Sequence, residues 1–247
     1  ASKSTVFLNT LSRWRAGEGK TAPAFGRQAI AMVWDYADVN PFAGAGGDFE
    51  GVVDGNAKAI LNCSPGAPGA AMQLDAQTQQ WSQGKVISTD PPYYDNIAYA
   101  DLSDFFYVWL RRSLRSIYPS LFATMAVPKT EELVAALYRH GSKDAAEQFF
   151  LSGMKKAIHN LAEQAHPAFP VTIYYAFKQS DSKDDVGTSS TGWETFLQAV
   201  VEAGFALTGT WPMRTENSTR LIGSDTNALA SSIILVCRKR AADATTI

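Results

Sequence analysis

Apolar positions along the chain switch repeatedly between helical and strand-like spacing. From Asp101 to Tyr118, the residues Phe105, Phe106, Val108, Trp109, Leu110 and Leu114 make one greasy side, and Arg111, Arg112 and Arg115 supply a basic one. That spacing predicts a helix. Glu131 to His140 and Lys143 to Ala165 show the same periodicity, the second expected to stop at His166-Pro167, where proline withdraws a backbone donor. A further helix is predicted from Gly192 to Glu202, with Gly204 placed just past its end. Short runs at Ala70 to Leu74, Lys85 to Thr89, Val171 to Phe177, Phe205 to Trp211 and Ser231 to Cys237 read as strands.

Strands alternating with helices predict an α/β fold around a mostly parallel sheet. Pro212 to Leu229 is polar and too long for a tight hairpin, and the two strands it separates are expected to close the sheet as an antiparallel pair. The whole chain, 1–247, reads as one region with a helical insert at about 130–166. Glycine and proline punctuate it at Asp38 to Gly47 and at Ser64 to Gly69.

Composition narrows the picture only a little. With 247 residues, 46% hydrophobic and 19% charged, the chain has the make-up of a globular protein. Its formal charge of −2 announces no polyanion, so any nucleic acid would have to meet a local patch. Cys63 and Cys237 lack paired spacing and are expected to be buried thiols in a reducing cell. His140, His159 and His166 have no ligand spacing, so no metal is expected. No apolar run approaches the roughly 20 residues of a bilayer span, and the amino end has no secretory pattern, which makes a cytoplasmic location the expectation.

The chemistry concentrates at Asp90-Pro-Pro-Tyr93, directly after the strand ending at Thr89. In open α/β sheets the carboxyl end of a strand is where ligands bind. An exocyclic amine on a nucleobase is a poor nucleophile because its lone pair is delocalised into the ring. The Asp90 carboxylate and the Pro91 carbonyl can each accept one amine hydrogen, turning the lone pair toward an incoming methyl group. Pro91 and Pro92 make the loop rigid, and Tyr93 offers a flat face for a base drawn out of the duplex. The plainer alternative is a strand-ending turn capped by an aspartate.

Asp90-Pro-Pro-Tyr93 resembles the catalytic motif of S-adenosylmethionine-dependent amino-methyltransferases acting on DNA, chiefly the N6-adenine type. The longer stretch from Thr89 to Arg112, together with Val33 to Phe42, Thr210 to Glu216 and Asn227 to Ser232, is similar to large bacterial and archaeal adenine-specific DNA methylases with an amino-terminal domain of unknown function. The resemblance runs from about Gln28 to Arg240. It implies a Rossmann-like methyltransferase fold, S-adenosylmethionine as methyl donor, a DNA adenine as acceptor, and Asp90, Pro91, Pro92 and Tyr93 as the amine-holding residues. It also implies that the chain corresponds to the carboxyl-terminal part of such an enzyme. The amino-terminal part of the same protein, or a partner subunit, would then supply the remainder. Genome modification or phage defence is the role it suggests.

Two further groups of residues are candidates. For the cofactor they are Phe42, Gly44 and Gly46 in a glycine-rich loop and Asp75 at the end of the strand before the catalytic one; an ordinary loop and a turn aspartate are the alternatives. For the substrate they are Tyr94 and Asn96 beside the motif and Arg214 and Arg220 in the long polar segment. Arg111, Arg112 and Arg115 are either phosphate contacts or a solvated helix face. Two other functions remain open: a methyltransferase-like module that binds nucleic acid or a partner without catalysis, and methylation of RNA or of a protein glutamine.

Overall fold

The computed structural model describes residues 12–25, 33–34, 36, 40–44, 48–64, 66–95, 97–175, 191–213, 232–241 and 244, without the side chains of 191, 192 and 195. The chain divides into two compact units, Ala1–Gln73 with Tyr99–Lys129, and Leu74–Ala98 with Thr130–Ile247.

In the first unit, β1 (Trp14–Arg15) pairs antiparallel with β2 (Lys20–Thr21), and two helices follow, α1 (Phe49–Asn62) and α2 (Tyr99–Leu114). Helix α1 was not expected, because Gly51 and Gly55 lower its propensity. The buried Asp48 starts it: Oδ1 accepts from the Gly51 amide at 2.8 Å. Helix α1 buries none of its residues, and Cys63, which caps it, is exposed rather than buried as expected. The predicted helix α2 forms, burying Ala100 and Tyr107. Its far end is tied down by the Tyr107 hydroxyl and the Arg111 Nε, both donating to the Thr124 carbonyl at 2.9 Å.

The second unit carries a four-stranded sheet in the order β3 (Ser88–Thr89), β4 (Val171–Tyr175), β6 (Ser232–Lys239), β5 (Phe205–Met213). β3 is parallel to β4, while β6 is antiparallel to both β4 and β5. Three of the four strands therefore run the same way and only the last is reversed. This is a mixed sheet whose final pair is antiparallel, as the sequence predicts. The carboxyl ends of β3, β4 and β5 consequently share one edge with the amino end of β6: Tyr175 pairs with Ile233, and Met213 with Ser232.

One face of this sheet is covered by α4 (Lys143–Gln164) and α5 (Thr191–Glu202), preceded by the single turn α3 (Leu137–His140). Helix α4 starts at Ser142, whose hydroxyl accepts from the Ala145 amide, and buries Ala146, Phe150, Met154, Ile158 and Ala162, a stripe with four-residue repeat. That stripe meets Val171, Ile173 and Tyr175, the alternate positions of β4, and Phe196 and Val200 of α5. Gly204 ends α5 at φ 97°, a conformation that costs glycine nothing.

Two expected elements do not form. Residues 70–75 are exposed rather than a strand, and no strand among the described residues offers their backbone a ladder. Of the predicted helix Glu131 to His140 only Leu137–His140 is helical. Val134, Ala135 and Ala136 are buried in an extended path, with the Ala135 amide donating to the Tyr94 carbonyl at 2.9 Å. Leu133 fills the space over Gly153 of α4, where an added Cβ would lie 2.2 Å from Leu133 Cδ2. Tertiary burial has overridden helix propensity here.

Burial pushes the Cys237 thiol on β6 from its ordinary 9.0 up to about 11. Folding thus favours the protonated thiol, and the stability this contributes is present below pH 9.0 and lost as pH rises through about 11. The urea midpoint is expected to fall across that window, and Cys237→Ala is expected to flatten the fall. In native buffer a thiol reagent should label the exposed Cys63 and spare Cys237 until the chain unfolds.

Candidate active site

Pairing along β3 begins with single hydrogen bonds, His166 N to Lys85 O at 3.0 Å and Thr172 N to Ile87 O at 3.1 Å, and ends at Thr89, paired with Ile173. Pro91 and Pro92 have no amide with which to continue it. The chain therefore leaves the sheet at Asp90, on the edge where β4 and β5 also end.

Four aromatic rings build the floor beside that exit. Tyr175, the last residue of β4, is fully buried and stacks on Phe196 with ring centroids 4.1 Å apart and planes 12° from parallel. Trp193 tilts against it at 5.7 Å, and Tyr93 meets it edge-to-face at 5.4 Å. The half-buried Tyr93 then turns its hydroxyl back to Asp90, donating to Oδ1 at 2.8 Å. Asp90 itself is exposed. One carboxylate oxygen is fixed by this bond, and a carboxylate offers a second to a ligand.

Tyr94 has φ 37°, the left-handed region that a bulky side chain rarely enters. Strain of this sort amounts to about 1–3 kcal/mol and persists only where neighbours enforce it. Here the Ala135 amide holds the Tyr94 carbonyl, and Phe150 receives its ring at 5.2 Å. The effect is to send the two consecutive tyrosines to different supports, Tyr93 to Tyr175 of β4 and Tyr94 to Phe150 of α4. Burial, then the charges of Glu147 and Asp95, hold the Tyr94 hydroxyl above its ordinary titration range. For Tyr175 the causes are burial, then Asp95 and Tyr94, and the shift is larger. Neither hydroxyl ionises near neutral pH.

Of the residues singled out in the sequence, the structure brings Asp90 and Tyr93 into direct contact, with Pro91, Pro92 and Tyr94 in the same loop. The cofactor candidates are placed differently. Phe42 and Gly44 belong to the first unit, where the Gly44 amide donates to Asp48 Oδ2 at 3.1 Å and the Phe42 amide to Asn40 Oδ1 at 3.0 Å. These amides cap α1 and its approach. Asp75 ends no strand; it folds a turn in which its Oδ1 accepts from the Gln77 amide at 2.9 Å. It lines an open groove of about 330 Å³ with Lys156, His159, Asn160 and Glu163 of α4. Asn160 and Gln164 bind the Gln79 carbonyl, and the Gly84 amide binds the Gln164 carbonyl. The groove therefore lies toward the start of β3, the opposite end of that strand from Asp90. Gly46, Asn96, Arg214 and Arg220 lie outside the described residues.

Tyr175, Trp193, Phe196 and Phe150 were missed as site residues. The signal for Tyr175 is available in the sequence: in Val171 to Tyr175 every second residue faces the core, and the last of them lies two residues beyond Ile173, the partner of Thr89 at the end of the strand that delivers Asp90. Among the described residues, no group of His, Cys, Asp and Glu side chains could hold a metal ion, and no helix is long and apolar enough to cross a membrane. The chain matches no protein-family model and no curated protein sequence.

Proposed function

We propose that this chain is the amine-holding part of an S-adenosylmethionine-dependent DNA methyltransferase with a Rossmann-like sheet, acting on the N6 amine of adenine. The observation that carries the reading is the placement of Asp90-Pro-Pro-Tyr93 at the shared carboxyl edge of three co-directional strands, with the Asp90 carboxylate already oriented by the Tyr93 hydroxyl.

In this reading Tyr93 holds Oδ1, Oδ2 accepts one amine hydrogen, and the Pro91 carbonyl accepts the other. Two acceptors on one side of a planar nitrogen pull its hydrogens out of the ring plane and localise the lone pair on the opposite side. Asp90 also stabilises the positive charge that grows on nitrogen as the N–C bond forms, a form of electrostatic preorganisation. The proton then released leaves through Asp90, which is open to solvent. The edge-to-face contact with Tyr175 keeps the Tyr93 ring upright beside the incoming base.

The Gly44 amide is engaged by Asp48 Oδ2 and Asp75 Oδ1 by the Gln77 amide, each within its own loop. This observation favours one second reading, a methyltransferase-like body that binds without catalysis. Calorimetric titration with S-adenosylmethionine separates the two at the level of the chain alone. Weak or no binding is expected, and tight binding would defeat the non-catalytic reading. The decisive experiment measures methyl incorporation from labelled S-adenosylmethionine into DNA, RNA and protein, by the chain alone and by the complete protein. Incorporation into adenine of DNA supports the proposal; a product in RNA or on glutamine, or none with any acceptor, overturns it.

A further inference from the structure

The first unit carries a feature that the amine-holding motif does not use. From Phe105 to Thr130 the sequence contains Arg111, Arg112, Arg115 and Lys129 and no Asp or Glu, in a chain whose formal charge is −2. The structure sorts these cations. Arg111 is committed to the Thr124 carbonyl, and Lys129 to Asp104 at 2.7 Å. Arg112 and Arg115 are exposed and form no salt bridge among the described residues.

Backbone hydrogen bonds from Arg115 N to Arg111 O at 3.2 Å and from Tyr118 N to Leu114 O at 2.8 Å carry the helical path past the end of α2. Trp109, Arg112 and Arg115 are therefore spaced i, i+3, i+6 along one ridge, each step offset by about 60° around the axis. Trp109 lies about 200° from the buried Tyr107, on the opposite side of the helix. It is 47% exposed, and the neighbouring Val108 is 57% exposed. Helix α2 carries its acids, Asp101 and Asp104, toward its start and its arginines toward its end, so the exposed stretch from Trp109 onward holds cations alone.

We propose that the ridge Trp109, Arg112 and Arg115 binds single-stranded DNA, with phosphates at the two guanidiniums and an unpaired base stacked on the indole. Guanidinium forks match phosphate oxygens, and an indole face takes any unstacked base. Recognition of a polyanion follows from the ridge itself; the choice of DNA rests on the methyltransferase reading.

The test is fluorescence anisotropy of labelled oligonucleotides with the full chain at several salt concentrations. For wild type the logarithm of affinity should fall linearly with the logarithm of salt. Arg112→Gln with Arg115→Gln should weaken binding at least tenfold and flatten that slope by about 1.4, roughly 0.7 for each lost phosphate contact on a single strand. Trp109→Leu should weaken single-strand binding roughly tenfold, leave the slope unchanged and leave duplex binding alone. Lys58→Gln on α1 is the neutral control, and circular dichroism checks that each variant is folded; if the double variant is not, Arg112→Gln alone should flatten the slope by about 0.7. An unchanged slope in the arginine variants, preference for RNA of the same sequence, or no binding by wild type overturns the proposal. Methyl incorporation is measured separately, so a ridge that fails leaves the methyltransferase reading standing, and a failure of methyl transfer leaves the ridge to be judged on its binding.

Discussion

Asp90→Ala is expected to lower methyl transfer to DNA by roughly 10²- to 10³-fold in kcat, about 3–4 kcal/mol, the usual result of removing one preorganised polar partner of a developing charge. The protein assayed should be the preparation in which methyl transfer is detected. The KM for DNA should change little, because the proposed role of Asp90 is to meet the amine and not the phosphates. Stability should be unaffected: Asp90 is exposed, and its hydrogen bond from Tyr93 is a surface contact. Tyr93→Phe divides the effect. It keeps the ring on Tyr175 and removes only the hydroxyl that orients Asp90, so kcat should fall by about tenfold, in line with a hydrogen bond to a charged group. Full activity of Asp90→Ala in a steady-state assay would remove the basis of the proposed function.

The route from sequence to this site was legible in some places for physical reasons that are easy to name. Two prolines after a β-branched strand must end it, and so the exit of the chain at Asp90 needed no structure. The β4 and β6 strands could be read because burial makes them rich in Val, Ile and Tyr. Helix α4 could be read because it has a repeating apolar stripe and a proline stop. What could not be read depends on partners distant in sequence. Val134 to Ala136 have helical composition, yet they lie extended because Tyr94 supplies a carbonyl and α4 a surface at Gly153. Helix α1 was missed because its one strong signal, the Asp48 cap, precedes two glycines. The sequence places Asp75 at a strand end on the strength of Ala70, Ala71, Met72 and Leu74, which pair with no strand among the described residues. The Tyr93 to Asp90 hydrogen bond was also hidden: the sequence suggested a stacking ring, and only the positive φ at Tyr94 and the ring of Tyr175 explain why the hydroxyl points back.

That dependence on Tyr175 sets the second large effect. Tyr175→Ala removes a fully buried ring that touches Tyr93, Trp193 and Phe196 together. Deleting a buried aromatic side chain typically costs about 3–5 kcal/mol, part transfer and part cavity. At roughly 2–4 °C per kcal/mol for a chain of this size, the melting transition followed by circular dichroism should drop by about 6–20 °C. Tyr175→Phe keeps the stack and should recover most of that loss. Phe150→Ala makes a similar cavity on the other side of the loop, under Tyr94, and should be destabilising to a similar degree. The two variants differ in what they do to Asp90. Below its lowered transition, Tyr175→Ala leaves Tyr93 without the ring that holds it upright, so its kcat should approach that of Tyr93→Phe; in the double variant the second change should add little. Phe150→Ala leaves the Tyr93 support in place, and its kcat measured well below the transition should stay nearer wild type. Equal kcat losses in the two cavity variants would mean that the loop responds to general loosening of the core. A loss confined to Tyr175→Ala would tie the orientation of the carboxylate to the last buried residue of the neighbouring strand.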